Sequence, residues 1–311
     1  MGKPDIIVVG HHGVGQIIKV PHFPKPGETV QSLGEKNLKD SGKGPNQAIC
    51  MSLLGCSVGF IGKVGDDQLG HLGEKWMQEA GVDTTGIIFS ESYTTGRGII
   101  FLDSQGQNTI INGFKPKGYL TFDELKPMID QFAQASFFVT GFEIPYQVAL
   151  KCAAYAKDVG MTTIVNPGPA TGEQLGDISY VDYIIPNETE SLLLAGYASI
   201  EDITISELAA ALREKTCSKT VIITLGSGGC AGLDDEGYWE IPGINVGVVD
   251  TTGAGDAFIG ALTCALSNGS SVRDATKWAN YVAALSVTKE GSFPSYSTRE
   301  EVEEFIFSLN E

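Results

Sequence analysis

The sequence lacks the features of a secreted or membrane-spanning protein. None of its 6 cysteines forms a Cys-x-x-Cys pair, and most lie in apolar runs, where cysteine serves as a small buried side chain. The apolar run near the start, residues 6–9, is too short for a signal peptide, and nowhere do about 20 apolar residues follow one another. We therefore expect a cytoplasmic, reducing location and no membrane partner.

Basic residues are also scarce. The chain has 21 of them against 38 acidic residues, so its net charge is -17, which repels nucleic acid and anionic membranes over most of the surface. We expect no nucleic-acid partner, and an anionic ligand has to be held by a local site. The 311 residues, 42% of them hydrophobic, are enough to build a large core.

Apolar strand-like runs alternate with segments of helical period, which is typical of a mostly parallel sheet flanked by helices. No linker, repeat or low-complexity tract interrupts the pattern, so we expect a single α/β domain over residues 1–311. The expected strands are 6–9, 59–64, 137–140, 162–165, 183–185 and 221–225, and the expected helices are 46–54, 69–80, 148–159, 257–266, 272–287 and 299–309.

Two segments depart from this rhythm. Residues 16–39 and 94–113 alternate apolar and polar side chains around turns such as Pro26-Gly27, as half-buried antiparallel strands do. The pattern predicts a small β-sheet lid inserted into the α/β body. A fixed extension of the sheet is the alternative interpretation.

The most informative stretch is Val249 to Phe258, where a strand-like apolar run meets a helix through a turn that contains Gly253 and Gly255. The first amides of a helix have no partners inside it, and the helix dipole adds partial positive charge, so this turn can hold an anion such as a phosphoryl group. Asp256 beside the anion could accept the proton of an attacking hydroxyl. The pattern indicates a kinase, although a glycine-rich turn whose Asp caps the helix is the simpler alternative.

Two other nucleotide motifs fit poorly. The glycines of Gly10-x-x-Gly13-x-Gly15 follow a strand, but a dinucleotide fingerprint has to open into a helix. The residues that follow, up to Pro21, are extended in character. No Gly-x-x-x-x-Gly-Lys-Ser/Thr motif is present either, so both a dehydrogenase and a P-loop enzyme are disfavoured.

Three motifs in order, residues 42–48, 65–70 and 250–258, give the chain its resemblance to the ribokinase-like carbohydrate kinases of the PfkB type. Segments 23–29, 166–170, 186–190 and 224–227 extend the similarity nearly end to end. The resemblance implies a central sheet flanked by helices, and a β lid that closes over the sugar and mediates a homodimer. It implies ATP and Mg²⁺, and ribose or a related small sugar as the acceptor.

The resemblance also implies roles for individual residues. Asp256 would be the general base, and the amides of Gly253, Ala254 and Gly255 would form the anion hole. The expected substrate contacts are Gly13, Gly15, Gly42, Lys43, Asn46, Glu143 and Asp256, and the expected nucleotide contacts are Asn187, Thr224, Gly226, Ser227, Gly229, Gly255 and Asn280.

The same resemblance implies two metal sites. Glu190 would organise Mg²⁺ through water, although Asn187 followed by Glu190 also matches a helix-capping pattern. A monovalent cation, K⁺, would be held mainly by carbonyl oxygens of Asp250, Thr252, Ser286, Lys289, Gly291 and Ser295.

Two positions depart from the family pattern. Gly13 and Gly15 stand where relatives carry an Asn and an Asp that bind sugar hydroxyls, so a bulkier or differently oriented substrate, with His11 or His12 as a polar contact, is one interpretation. Arg97 lies on an expected lid strand, where a guanidinium could bind a sugar acid or sugar phosphate. A surface arginine and a non-catalytic sugar-binding relative remain the alternatives.

Overall fold

A computed structural model of the chain describes residues 4–37, 42–105, 107–112, 120–170, 172 and 174–309. Its strands are β1 Ile6–Val9, β2 Gly13–Lys19, β3 Gly34–Asn37, β4 Val58–Gly65, β5 Asp83–Ser90, β6 Gly96–Leu102, β7 Asn108–Asn112, β8 Phe137–Gly141, β9 Thr162–Asn166, β10 Tyr183–Ile184, β11 Thr220–Thr224, β12 Gly229–Asp234 and β13 Gly237–Pro242. Its helices are α1 Lys43–Leu53, α2 Gln68–Glu79, α3 Phe122–Gln131, α4 Tyr146–Asp158, α5 Glu188–Ala195, α6 Ile205–Thr216, α7 Ala254–Ser267, α8 Val272–Ser286 and α9 Arg299–Ser308.

The strands of the body form one sheet in the order β13-β12-β11-β10-β9-β8-β1-β4-β5. All neighbours from β11 to β5 run parallel, and only β12 and β13 add an antiparallel edge. The expected α/β fold is therefore confirmed. Ligands of open α/β sheets bind at the carboxyl ends of the parallel strands. We therefore expect the site at the carboxyl ends of the strands from β11 to β5.

Strand β1 shows how the sheet is buried on both faces. Its side chains alternate in direction: Ile6 and Val8 pack with buried residues of α1, α7 and α8. Ile7 and Val9 pack with those of α3, α4 and α6. All four side chains are completely buried, so β1 reads as an unbroken apolar run, as strands covered by helices on both faces do.

A separate four-stranded sheet has the order β3-β2-β6-β7, and we call it the lid sheet. It is built from the two segments with alternating pattern, except that β2 begins at Gly13, three residues before the predicted start. Residues 38, 39, 106 and 113 of these segments lie outside the described part. The outer pairs are antiparallel as expected, but the central pair β2–β6 is parallel. Strands whose first residues, Gly13 and Gly96, are 83 positions apart are not joined by a tight turn, so nothing local forces them antiparallel.

Two of the cysteines are paired. The structure joins Cys56, after α1, to Cys264 in α7, a pairing that the scattered spacing of the cysteines did not predict. Cys50, Cys152 and Cys230 are free and buried. Among the residues described, no helix has both the length and the apolar character needed to cross a membrane. The cytoplasmic, reducing location remains a prediction, and the paired cysteines do not support it.

Asp67 joins α2 to the start of the lid strand β6. Its carboxylate accepts the backbone N–H groups of Leu69 (3.1 Å) and Gly70 (2.9 Å) at the helix start and that of Thr95 (2.8 Å). Burial alone would raise the pKa of Asp67, but these hydrogen bonds outweigh it and lower the pKa below its ordinary value. The carboxylate therefore stabilises the fold in its ionised form.

We expect Asp67→Ala to lower the free energy of unfolding at pH 7 by about 2 kcal/mol, since it removes a helix cap and a tertiary contact. Because the folded-state pKa is lowered, this stabilisation is present above the unfolded pKa of about 4 and is lost as the pH falls through the folded value. Denaturant titrations at pH 7 and pH 3 measure both effects. Asp66→Ala is the control, because Asp66 is exposed and bonds His71; an equal loss in both variants would contradict the role of Asp67.

Candidate active site

The segment ahead of α7 is a loop. Residues 243–250 contain no strand, and Val248 and Val249 are 62% and 64% exposed, so the expected strand leading into the glycine turn is wrong. Local β propensity does not make a strand without a neighbour to pair with. The loop is held instead by the carbonyl of Val287, which accepts the N–H groups of Val249 (2.8 Å) and Asp250 (3.2 Å).

The turn itself requires a glycine. Gly253 precedes the first residue of α7 with φ of 78°, a left-handed conformation that side chains rarely adopt. A Cβ at this position would lie 2.6 Å from the hydroxyl of Tyr296 and 3.1 Å from Cβ of Ser292. The Tyr296 hydroxyl also donates to the Gly253 carbonyl at 3.3 Å, which fixes the direction of the peptide that opens the helix.

The amides of the turn are not equivalent. The N–H of Ala254 donates to the Thr251 carbonyl at 3.3 Å. Within the described residues, the N–H groups of Gly253 and Gly255 have no hydrogen-bond partner. Two of the three amides predicted to form the anion hole are thus available. They lie at the N-terminus of α7, where the helix dipole favours negative charge.

Asp256 lies in the first turn of α7 and is 5% exposed. Two neighbouring amide side chains of α1 donate to its carboxylate: Asn46 Nδ2 to Oδ2 and Gln47 Nε2 to Oδ1, both at 3.0 Å. The helix dipole and these donors favour the charged form of a carboxylate. Asn46 is therefore beside the predicted base, and its own Oδ1 is buried without a hydrogen-bond partner among the described residues.

Glu143 caps the N-terminus of α1. Gly42 lies just before the helix and offers no side-chain cap, and the N–H of Lys43 donates to Glu143 Oε2 at 2.6 Å. A Cβ on Gly42 would lie 3.1 Å from the same oxygen and 3.3 Å from the His11 carbonyl. The structure thus brings three predicted substrate residues together, within one helical turn of Asn46.

The two histidines have different surroundings. His12 is completely buried, and its ring occupies the space that a Cβ on Gly73 of α2 would need. His11 is 6% exposed, and its Nε2 lies 3.3 Å from the Cβ position of Gly13 and 2.7 Å from that of Gly96. His12 is a packing residue between β1 and α2, whereas the His11 imidazole lies on the glycines at the base of the lid sheet.

These glycines form one face of the central lid strands. Gly13 pairs with Gly96 and Gly15 with Gly98, and paired residues project to the same side of a sheet. Between them, Val14 pairs with Arg97 and projects to the opposite side. Val14 is buried and Arg97 is exposed. The structure places Arg97 on the face away from His11 and the glycine pairs.

Glu190 forms a capping box with Asn187. Glu190 Oε2 accepts the N–H of Asn187 at 2.9 Å, and Asn187 Oδ1 accepts the N–H of Glu190 at 2.8 Å. The other carboxylate oxygen, Oε1, packs against Gly168, and Asn166 Oδ1 lies 3.1 Å from the Cβ position of the same glycine. Asn166 Oδ1 is buried and has no hydrogen-bond partner in the described structure. Two oxygen acceptors at one place suit a hard cation such as Mg²⁺.

The predicted nucleotide residues lie at the ends of β11 and β13. The N–H of Thr224 donates to the Pro186 carbonyl at 3.0 Å, and Thr224 bridges Asn187. Gly226 and Ser227 are exposed in the short helical turn after β11, and Gly229 is buried at the start of β12. Asn280 of α8 donates to the Pro242 carbonyl at 2.8 Å, so it lies at the end of β13.

Asp250 holds together the two loops predicted to bind a monovalent cation. Its Oδ1 accepts the N–H (2.9 Å) and hydroxyl (2.7 Å) of Thr252, and its Oδ2 accepts the N–H of Gly291 at 2.9 Å. Burial would raise the pKa of Asp250, but these bonds outweigh it and lower the pKa. The hydroxyls of Ser286 and Ser295 bond local carbonyls.

Lys289 turns away from this loop pair. Its ammonium donates to Ser297 at 3.0 Å and lies 3.8 Å from Glu301. Only its backbone is left to serve a cation. The hydrogen bonds of Asp250 bring the two loops together, while the side-chain oxygens of Asp250, Ser286 and Ser295 are engaged in local hydrogen bonds; the cation site stays a prediction.

Two surface cavities lie away from these residues. One, of about 420 Å³, is lined by the first residues of three parallel strands, Phe137, Thr162 and Tyr183, with residues at the start of α8. The other, of about 490 Å³, lies beside the end of α6. Neither contains a residue predicted for the site, and the first lies at the edge of the sheet opposite the carboxyl ends.

The fold and the site define an α/β phosphotransferase class. A mostly parallel sheet carries, at its carboxyl edge, a helix start with two free amides and a buried carboxylate in the first helical turn, and the fold adds a separate four-stranded sheet. Residues 3–299 match the model of the pfkB family carbohydrate kinases, and the chain belongs to this family. It is a sugar kinase, a phosphotransferase with an alcohol group as acceptor.

Individual relatives are similar to this protein over nearly its whole length. A ribokinase of Haemophilus influenzae is 32% identical over 98% of this chain and 99% of its own. A deoxyribokinase of Salmonella typhi is 30% identical over 99% of this chain and 100% of its own. The structure of Arabidopsis thaliana ribokinase complexed with ribose and ATP has a TM-score of 0.85 at 28% identity and covers 98% of this chain and 99% of that one.

Proposed function

We propose that this protein transfers the γ-phosphoryl group of ATP to a hydroxyl of ribose or a related small sugar. Asp256 takes the hydroxyl proton as the sugar oxygen attacks the γ-phosphorus; the new O–P bond forms, the bond to ADP breaks and ADP leaves. The observation that carries the proposal is the buried Asp256 carboxylate, held by Asn46 and Gln47 beside the free amides of Gly253 and Gly255.

The amides of residues 253–255 would meet the charge on the transferring phosphoryl group. Donors that are fixed before the reaction stabilise such charge without reorganisation. In this chain the Gly253 and Gly255 amides are the main donors, because Ala254 already bonds Thr251. ATP is supported as the phosphoryl donor by the Arabidopsis relative, whose structure contains it.

Glu190 and Asn166 would hold Mg²⁺ through water near the phosphates, beside the predicted nucleotide contact Asn187. When bound, the ion neutralises charge on the phosphoryl oxygens. K⁺ is proposed at the loops that Asp250 joins, where carbonyl oxygens of residues 250–252 and 286–295 would bind it and steady the anion turn.

The glycine face of the lid sheet suggests loose recognition of the sugar. Gly13 and Gly15 carry no side chains that could bind hydroxyls, so a sugar that lacks one hydroxyl leaves no protein group unpaired there. Gly42, Lys43, Asn46 and Glu143 remain the proposed contacts, with His11 at the lid base. Arg97 lies on the opposite face, which argues against a sugar acid or sugar phosphate bound through its guanidinium.

A coupled assay of ADP release tests the function across D-ribose, 2-deoxy-D-ribose, hexoses, sugar acids and sugar phosphates. We expect turnover of small neutral sugars, with kcat/KM for sugars that differ by one hydroxyl within about tenfold. A repeat in KCl and in choline chloride tests the cation, which should raise kcat. Arg97→Ala is the control and should affect neutral and anionic sugars equally.

If no sugar causes ADP release although the protein still binds ATP, the protein is instead a non-catalytic sugar-binding relative. A selective loss of anionic sugars in Arg97→Ala would revive the second candidate, a kinase for sugar acids or sugar phosphates. Both results are readable without knowing the natural substrate.

We also propose that the lid sheet mediates a homodimer. Leu33, just before the edge strand β3, and Ile111, in the edge strand β7, are 66% and 55% exposed, and exposed apolar side chains at sheet edges favour pairing with another chain. Sedimentation showing only monomer at micromolar concentration would contradict this.

A further inference from the structure

Gln47 is the residue beside Asp256 to which the sequence motifs assigned no role. It follows Asn46 in α1, is 2% exposed, and donates to the carboxylate oxygen that Asn46 does not reach. Because each oxygen has its own donor on α1, a rotation of the carboxylate would break both hydrogen bonds. The pair of amides therefore fixes the plane of the carboxylate.

The reach of Gln47 depends on close contact between α1 and α7. A Cβ on Gly260 of α7 would lie 3.1 Å from Cβ of Cys50 and 3.2 Å from the Gln47 carbonyl. A larger residue at position 260 would push the helices apart, and at 3.0 Å the Gln47–Asp256 hydrogen bond has little length to spare. Gly260 therefore permits the close approach of α1 and α7 on which the Gln47–Asp256 hydrogen bond depends.

We propose that Gln47 is a positioning residue for phosphoryl transfer: its amide holds the Asp256 carboxylate in one orientation and favours the ionised form that can accept the sugar proton. The inference rests on the proposed role of Asp256 as base. An ionised carboxylate has about four acceptor positions, so two amide donors still leave positions for the hydroxyl. An amide does not titrate, so it stabilises the charge without competing for the proton.

The test is the pH dependence of kcat/KM with MgATP and D-ribose, or with the sugar that the assay above shows to be turned over fastest. Gln47→Met keeps the volume and removes the donor. A hydrogen bond to a charged group is worth enough to shift a pKa by about 1 unit, so we expect the acid limb to move up by about 1 pH unit. At pH 7 the carboxylate is ionised in both proteins, so a fall in kcat there, which we expect to be about tenfold, reports the lost orientation of the base, while the KM for ATP stays near that of the wild type.

Gln47→Glu extends the test. Two carboxyl groups facing each other cannot both ionise easily, so the acid limb should move further than in Gln47→Met. This graded order from wild type to Met to Glu is a result that a packing role would not produce.

Cys50→Ala is the matched control. Cys50 is buried on the same helix and bonds the carbonyl of Ala257, next to the base, without donating to the carboxylate. We expect it to lower stability and leave the acid limb in place. An unmoved acid limb in both folded Gln47 variants would overturn the inference.

The two proposals fail separately. If Asp256→Asn abolishes turnover while the Gln47 variants keep the wild-type profile, only the positioning role is lost. If Asp256→Asn turns over normally, the proposed base is wrong, whatever the Gln47 variants do.

Discussion

Replacing Asp256 with Asn should lower kcat by about 10³-fold, because it removes the only proposed acceptor for the sugar proton and general bases contribute on this scale. The change is nearly isosteric and the residue is buried at the helix start, so nucleotide binding should stay close to that of the wild type. The measurement is the steady-state rate of ADP release together with the Kd of ATP from calorimetry.

Asp274→Asn is the matched control. Asp274 occupies the same position in the first turn of α8, where it bonds Ser271 near the surface, and the substitution there should leave kcat unchanged. Turnover of Asp256→Asn within a few-fold of the wild type would eliminate the assigned base. A parallel loss of ATP binding would show that the variant had disturbed the whole site.

The second large effect is expected for Gly255→Ala. A Cβ on Gly255 meets no atom within 4 Å, so the methyl group fits the folded protein, and alanine in place of glycine in a helix adds about 0.5 to 1 kcal/mol of stability. The methyl would stand where the phosphoryl group approaches the amide. Loss of one such donor costs about 10²-fold in kcat.

Denaturant unfolding and kcat, measured on the same preparation, separate the two effects of Gly255→Ala. Gly253→Ala supplies the contrast, because a side chain there is strained and collides with Tyr296 and Ser292; it should lose both stability and activity. If Gly255→Ala keeps its activity, the anion does not approach that amide, and other donors must form the proposed anion hole.

The alternation of apolar strand-like runs with segments of helical period was enough to predict the body of the fold. The strand at Ile6–Val9 and the helices near α2, α4 and α8 lie within a few residues of their predicted bounds, because buried strands and amphipathic helices are encoded in local periodicity. Three elements with weaker patterns, β5, α3 and α6, were not singled out. The edge strands β12 and β13 were also missed, since pairing partners rather than local sequence define them.

The residues of the candidate site also fall into those that local sequence indicates and those that only tertiary contacts bring together. Gly253, Gly255 and Asp256 were recognised because they are contiguous and their chemistry follows from a helix start. Gln47 and Asn166 were not, because their importance comes from neighbours 209 residues away in one case and from a shared approach to Gly168 in the other.

By itself the sequence determined the layered α/β body, the glycine turn that we propose binds an anion, and the carboxylate that follows it, since each depends on residues adjacent in the chain. Only the tertiary structure decided which amides hold that carboxylate, that Arg97 and the glycine pairs lie on opposite faces of the lid sheet, and that β2 and β6 run parallel. These features depend on how distant segments meet, and local periodicity carries no information about such contacts.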